Sequence, residues 1–248
     1  DCEQQAIKRW VERNAERFEP WSVTVLADDL HCHQPTCKLL LKHTMHFILS
    51  CKPESHKALY EELALLERVE GAVSTKVVRK WNGRYHERWV YRWAECLPLR
   101  RGPKALRVNW CQLTISNEAT EKQLYHNAWA TDHTLNEQLV VEVAANGRSR
   151  WKVENEGFNV LKNRGYNFEH NYGHGQQHLS AVLLTLLLLA FLFHTALDLS
   201  CLMYQAVRRE LAVRRTFFND LRALTRYLYF ASWQELLAFM YQRLDLAP

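Results

Sequence analysis

No internal repeat and no low-complexity stretch runs through the 248 residues, 48% of which are hydrophobic. A disordered tail is thereby excluded, and the length allows one large domain or two small ones around a sizeable core. A hydrophobic leader is missing from the start, and the seven cysteines are odd in number and scattered without the spacing of a disulfide framework. The expected compartment is a reducing cytosol. Cys32 and Cys37 bracket His33, but no well-spaced fourth ligand accompanies them, so the sequence gives no reason to expect a structural zinc site. Asp1 leads straight into a helical pattern with no initiator methionine, and the expectation is a chain that begins inside a domain. Strong overall charge is missing too. A net charge of +5 hints at a polyanionic partner without establishing one. Its distribution says more: ten Lys and Arg lie between Lys76 and Arg107 against Glu87 and Glu95, a local excess of eight.

Hydrophobic periodicity divides the chain. Asp1 can cap a helix in which Cys2, Ala6, Ile7, Trp10, Val11 and Phe18 recur at three- and four-residue steps, ending before Pro20. Residues 21–27 (WSVTVLA) read as a strand that delivers Asp28-Asp29 at its C-terminal edge. A helix over 36–42, a buried strand over 46–51 and a helix over 56–70 follow. From Ser74 the period becomes two. Arg84, His86, Arg88 and Arg92 alternate with Tyr85, Trp89, Tyr91 and Trp93, and Asn82-Gly83 signals a hairpin. Strands over 106–116 and 125–131 complete a β-rich section that reads as an insertion. Its arginines are either a solvated face or a DNA-contacting one. Helices are expected over 135–145, 148–163, 179–215, 217–230 and 233–244, the last with a capping box of Ser232 and Glu235. The expected segments are 1–55, 56–134, 135–178 and 179–248, in an α/β (α+β) chain.

Leu179 to Leu197 carries no formal charge over 19 residues, long enough for a membrane span. Ser180, Thr185, His194 and Thr195 within it, and the basic stretch that follows, weigh against one. A helix buried on all sides would read the same way.

Phosphodiester cleavage and strand transfer need a nucleophilic water or 3′-hydroxyl and a stabilised leaving oxygen, and two divalent ions about 4 Å apart supply both. Such ions take carboxylates from separate elements. Asp28 at a strand end and Glu154 on a helix have the right character. Asp29 is the alternative ligand or a helix cap, and Glu156, two residues on and so on another helical face, is the fallback for Glu154. Around Glu154 the chain reads Arg150-Trp151-Lys152-Val153-Glu154-Asn155-Glu156-Gly157-Phe158, then Asn159 to Tyr166. This resembles the Y-(2)-R-(3)-E-(6)-K signature of a large group of bacterial insertion-sequence transposases with an RNase H-like catalytic fold. Arg150 and Glu154 match in type and spacing, while the Tyr falls at Gly147 and the Lys at Leu161, one place before Lys162. Val25 to Asp29 is similar to the family's strand bearing its second Asp, and Glu169 to Gly175 with Gln176-Gln177-His178 is similar to its downstream tail. The histidines at 170, 174 and 178 recur every four residues and would form a metal face only if Gly173 and Gly175 stayed helical, which glycine discourages, so they read as capping or DNA contacts.

The resemblance covers most of the chain and implies a partial RNase H-like domain with a β-rich insertion and a helical C-terminal region. It also implies a DDE-type DNA transposase, Asp28 and Glu154 as catalytic metal ligands for Mg²⁺ or Mn²⁺, and DNA ends and target as partners. DNA contacts are expected from Arg150, Lys152, Lys162, Arg164, Arg84, Arg88 and Arg92. A homodimer in a synaptic complex and a location in the bacterial cytoplasm, off the membrane, are part of the same expectation. Only 27 residues precede Asp28, too few for the strands that carry the family's first Asp, so an N-terminally truncated chain of weak activity is expected.

Overall fold

The computed structural model describes residues 2–170, 173 and 175–246, so the expected Asp1 cap, and Asn171, Tyr172 and His174 of the family-like tail, lie outside the described residues. Two compact units divide the chain, Asp1–Arg150 and Trp151–Pro248.

The first unit is mixed α/β. Its first helix, α1 (Glu3–Phe18), buries Val11 and Ala15 with Ile7 and Phe18 alongside, a stripe at four-residue steps. Trp10, expected on that face, is exposed and leans on Phe18. Pro20 ends the helix in a short 3₁₀ turn, and β1 (Thr24–Ala27) follows. Helix α2 (Gln34–Lys42) carries the chain across to β2 (His46–Ser50), which pairs with β1 in parallel. Helix α3 (Lys57–Leu66) precedes four long antiparallel strands, β3 (Ser74–Trp81), β4 (His86–Pro98), β5 (Arg107–Asn117) and β6 (Gln123–Thr131). The β-rich section extends the sheet begun by β1 and β2, because β6 pairs with β2 and gives the order β1-β2-β6-β5-β4-β3.

Helices cover both faces of that sheet. Val11, Leu40, Leu59 and Leu63 of α1 to α3 pack with Phe47, Leu49, Trp110 and Ala130 on one. Helix α4 (Leu139–Ser149) sets Val140, Val143 and Ala144 against Tyr91, Trp93, Leu113 and Trp129 on the other. The alternating aromatics of β4 therefore face a core. Gly147 belongs to the same contact: a Cβ there would stand 2.6 Å from Trp129 Nε1 and 2.7 Å from Cε2. The β3–β4 loop spans residues 82–85, where Asn82 Oδ1 accepts from the backbone N–H of Arg84 and Tyr85, both at 3.0 Å, and Gly83 takes φ +95°.

The second unit is helical. The continuous helix expected over 148–163 is broken: α4 ends at Ser149, a π-helical turn spans Val153–Phe158, and α5 (Asn159–Asn163) follows. The one expected over 179–215 is also broken, into α6 (Leu179–Ser200), α7 (Leu202–Glu210) and the start of α8 (Arg214–Tyr227), with extended backbone at Cys201 and Val213. Helix α9 (Trp233–Arg243) has its cap: Ser232 Oγ accepts from Glu235 N–H at 3.2 Å, while Glu235 Oε2 reaches back to Ala231 N–H at 2.6 Å. Tyr204, Val207, Phe217, Leu236, Leu237 and Met240 form this unit's core. Among the described residues, α6 is long and apolar enough to cross a membrane by length and composition. It is not buried on all sides; Leu186, Leu189 and Leu192 are exposed and His194 is its buried residue.

His194 shares a 2.8 Å hydrogen bond with the Tyr166 hydroxyl inside an aromatic cage that includes Tyr204, Phe217, Phe218 and Trp233. Burial pushes its pKa down to about 4, helped by Arg214 and Arg208 and opposed by Asp198. A histidine kept neutral when folded leaves the unfolded chain binding the extra proton. Stability is therefore complete above pH about 6.5 and falls as pH drops towards 4, by at most about 3 kcal/mol. Urea midpoints measured across that range should fall more steeply for the wild type than for His194→Asn. Parallel curves would contradict the burial of a neutral imidazole.

Candidate functional site

Two loops meet at the C-terminal edge of the parallel pair. The first leaves β1 at Asp28, whose Oδ1 accepts from Leu30 N–H at 3.1 Å and so caps the 3₁₀ turn Asp29–His31. Capping falls to Asp28, and Asp29 turns instead to the second loop. There its Oδ1 accepts from Lys52 N–H at 2.7 Å and its Oδ2 from Ser55 Oγ at 2.6 Å. Both Asp29 oxygens are thus occupied by donors from the turn after β2, whereas Asp28 is half-buried at the strand end. The ligand preferred from sequence is the less engaged of the two.

Behind these carboxylates lie Cys32, Cys51 and His56, all buried, whose donor atoms fall within 4.8 Å of one another. Contact with Cys51 and burial push the Cys32 thiol up. Burial acts to lower His56, but its contacts with Cys32 and Asp29 outweigh burial and leave it raised. The sequence pattern around Cys32 and Cys37 missed this grouping because its partners come from the end of β2 and the start of α3. A Cys and a His at those two positions on a parallel edge are the signal that was there to find.

A second group sits at the opposite edge. His46 Nδ1 and Asp132 Oδ2 are 2.6 Å apart, His133 stacks on His46, and Thr24 Oγ1 lies 3.0 Å from His133 Nε2. These side chains are half-buried, and Asp132 Oδ1 also accepts from Phe47 N–H at 2.8 Å. Burial and His46 lower the His133 pKa against the pull of Asp132. Sequence reasoning did not single out these residues.

Glu154 lies in the second unit, exposed on the π-helical turn, and so belongs to a different unit from Asp28. Single-turn π segments are often found at functional sites. Arg150 closes α4, half-buried, at the end of the first unit, and Lys152 is exposed two residues later. Lys162 pairs with Glu169 at 2.7 Å, and Arg164 is exposed beyond α5. The two remaining signature positions are structural. Gly147 abuts Trp129, and Leu161, where the Lys would fall, is buried.

Much of the positive charge between Lys76 and Arg107 is already engaged. Arg79 pairs with Glu118, Arg92 with Glu67 and Arg101 with Glu61. Lys76 and Arg107 donate to the carbonyls of Glu137 and Cys96. Lys80 lies 3.8 Å over the Trp89 ring. Arg79 stands directly across from Arg88, a like-charge rung that Glu118 relieves. Arg84 and Arg88 are exposed and have no acidic partner among the described residues. Compared with known proteins, the chain matches no family model, and no curated protein is detectably similar to it.

Proposed function

We propose that the chain is part of a DDE-type DNA transposase with an RNase H-like catalytic domain, working on DNA in the bacterial cytoplasm with Mg²⁺ or Mn²⁺. The observation that carries the reading is Asp28 at the C-terminal end of β1 beside the parallel strand β2. Open α/β sheets bind their ligands at that edge. Further support comes from the Arg150 and Glu154 spacing and from the π-helical turn at Glu154.

The donors fit a hard divalent ion in part. Asp28 in the first unit and Glu154 in the second are oxygen ligands of the right kind, and Asp29 is held on both oxygens by Lys52 N–H and Ser55 Oγ. Mg²⁺ is ordinarily held by one or two carboxylates and completes its octahedron with water and substrate phosphate oxygens. When bound, such ions activate the attacking oxygen and stabilise the leaving one. The chain's own share is to offer carboxylates, Asp28 from the first unit and Glu154 from the second, and to bind phosphates through Arg150, Lys152, Arg164, Arg84 and Arg88. Lys162 and Arg92 contribute less because Glu169 and Glu67 already pair with them.

A second reading, a DNA-binding remnant without chemistry, is favoured by Gly147 and Leu161, which hold core positions where the family signature has Tyr and Lys. A membrane protein spanning at α6 has weaker support, since α6 places His194 in the second unit's aromatic cage.

DNA binding is read by titrating labelled duplex with the chain at several salt concentrations. Arg88→Ala and Arg84→Ala are each expected to weaken binding on all sequences alike and to reduce the salt slope by about one. Arg92→Ala should change the slope less. If none of the three moves the slope, the arginine face is only solvated and both DNA readings lose their interface.

A further inference from the structure

We propose that Cys32, Cys51 and His56, with the Asp29 carboxylate beside them, form a binding site for a borderline-soft divalent ion, Zn²⁺ being the type, that clamps together the loops following β1 and β2. The site does not rest on the transposase reading, and it differs in chemistry from a Mg²⁺ site. Two sulfurs and an imidazole nitrogen are donors that zinc prefers and magnesium avoids.

Each ligand is placed by backbone rather than by chance of rotamer. Cys32 closes the 3₁₀ turn capped by Asp28, its N–H bonded to the Asp29 carbonyl at 3.1 Å. Cys51 follows β2 directly and stays in register with β6 through its N–H to the Ala128 carbonyl at 2.9 Å. His56 ends a tight turn, its N–H on the Lys52 carbonyl at 3.1 Å, immediately before α3. The three side chains are 1%, 1% and 6% exposed.

Distances agree with a shared ion. Zinc takes sulfur at about 2.3 Å and nitrogen at about 2.0 Å, so tetrahedral donors stand roughly 3.5 to 3.8 Å from one another. The donor atoms here lie within 4.8 Å, a spread that small side-chain rotations close. His56 Nε2 supplies the second, independent observation. It is buried and 3.2 Å from Asp29 Oδ1, yet off the direction of a hydrogen bond, so it has no hydrogen-bond partner. A buried polar atom left that way calls for an explanation. An ion bonded to Nε2, with the adjacent Asp29 Oδ1 as fourth donor, gives one.

Both cysteines are free thiols, so binding a divalent ion exchanges two S–H protons for two metal–sulfur bonds and releases those protons to solvent. No oxidant or reductant is involved. The bound ion would tie the loop after β1, the end of β2 and the start of α3 into one body, and so fix the turn from which Asp28 projects.

Cobalt(II) is the probe. The reduced, metal-free chain is titrated with Co²⁺ and read for a sulfur-to-cobalt charge-transfer band in the near ultraviolet and for the strong visible bands of tetrahedral cobalt. Expected are saturation at one ion per chain, displacement of the colour by Zn²⁺, and a rise in the thermal midpoint when Zn²⁺ is added to the apo chain. Cys32→Ser and Cys51→Ser should each lose most of the charge-transfer intensity. Cys111→Ser, which removes a buried thiol from the other face of the sheet, should keep it. The wild-type spectrum carries the test even if a cysteine variant fails to fold. No charge-transfer band in the reduced wild type, or a band undiminished in Cys51→Ser, overturns the proposal.

Discussion

Asn at Asp28 or Gln at Glu154 is expected to lower metal-dependent DNA cleavage by about a thousandfold or more, a loss of ~4 kcal/mol of transition-state stabilisation. The isosteric amides matter for the reading of that loss. Asp28 also caps the turn Asp29–His31 through Leu30 N–H, and alanine there would forfeit a cap as well as a metal ligand, at a cost of about 1 kcal/mol. Asparagine keeps an acceptor for Leu30 N–H and removes the negative charge that a divalent ion requires. DNA affinity should hold within about twofold in both variants, since phosphate contacts come from other side chains. Cleavage rates on DNA carrying the element's ends decide the matter. A variant as active as its parent would remove that carboxylate from the site.

Gly147→Tyr is expected to unfold the first unit or to destabilise it by about 4 kcal/mol or more, although it supplies the tyrosine that the transposase signature has at that position. Glycine inside a helix ordinarily costs about 1 kcal/mol relative to alanine. Here even a single methyl group would meet the Trp129 indole at 2.6 Å. Trp129 is 1% exposed and sits among Tyr91, Trp93 and Leu113, so it has nowhere to retreat. Gly147→Ala already overpacks this contact and should cost about 1 to 3 kcal/mol. Urea unfolding followed by tryptophan fluorescence reads both. A stable, active Gly147→Tyr would mean that α4 sits further from the sheet than the described contact.

The fold was legible where one periodicity dominated. β1, β2 and the long antiparallel strands stood out because Val, Ile and alternating aromatics fit a pleated surface, and Asn82-Gly83 fixed the hairpin between β3 and β4. What pairs with what was not legible. Nothing local in Gln123–Thr131 says that β6 lies beside β2, so the β-rich section read as an insertion when it continues the sheet. Helix breaks at Cys201 and Val213 escaped as well, since neither residue carries a glycine or proline signal. At the site, Asp28 was readable as a carboxylate at a strand end. The partners of Asp29 were not: Lys52, Ser55 and His56 are more than twenty residues away and meet it only because β1 and β2 run parallel. The same distance hid the grouping of Cys32 with Cys51 and His56.

The most direct measurement is Mg²⁺- or Mn²⁺-dependent cleavage and joining of DNA bearing the element's ends, run with this chain and with its Asp28→Asn and Glu154→Gln variants. Metal-dependent cutting and joining by this chain is expected, lowered by about a thousandfold or more by either substitution. If the chain neither cuts nor joins DNA in either metal, the transposase reading is contradicted, and the basic face around Arg84 and Arg88 remains only as a site for binding.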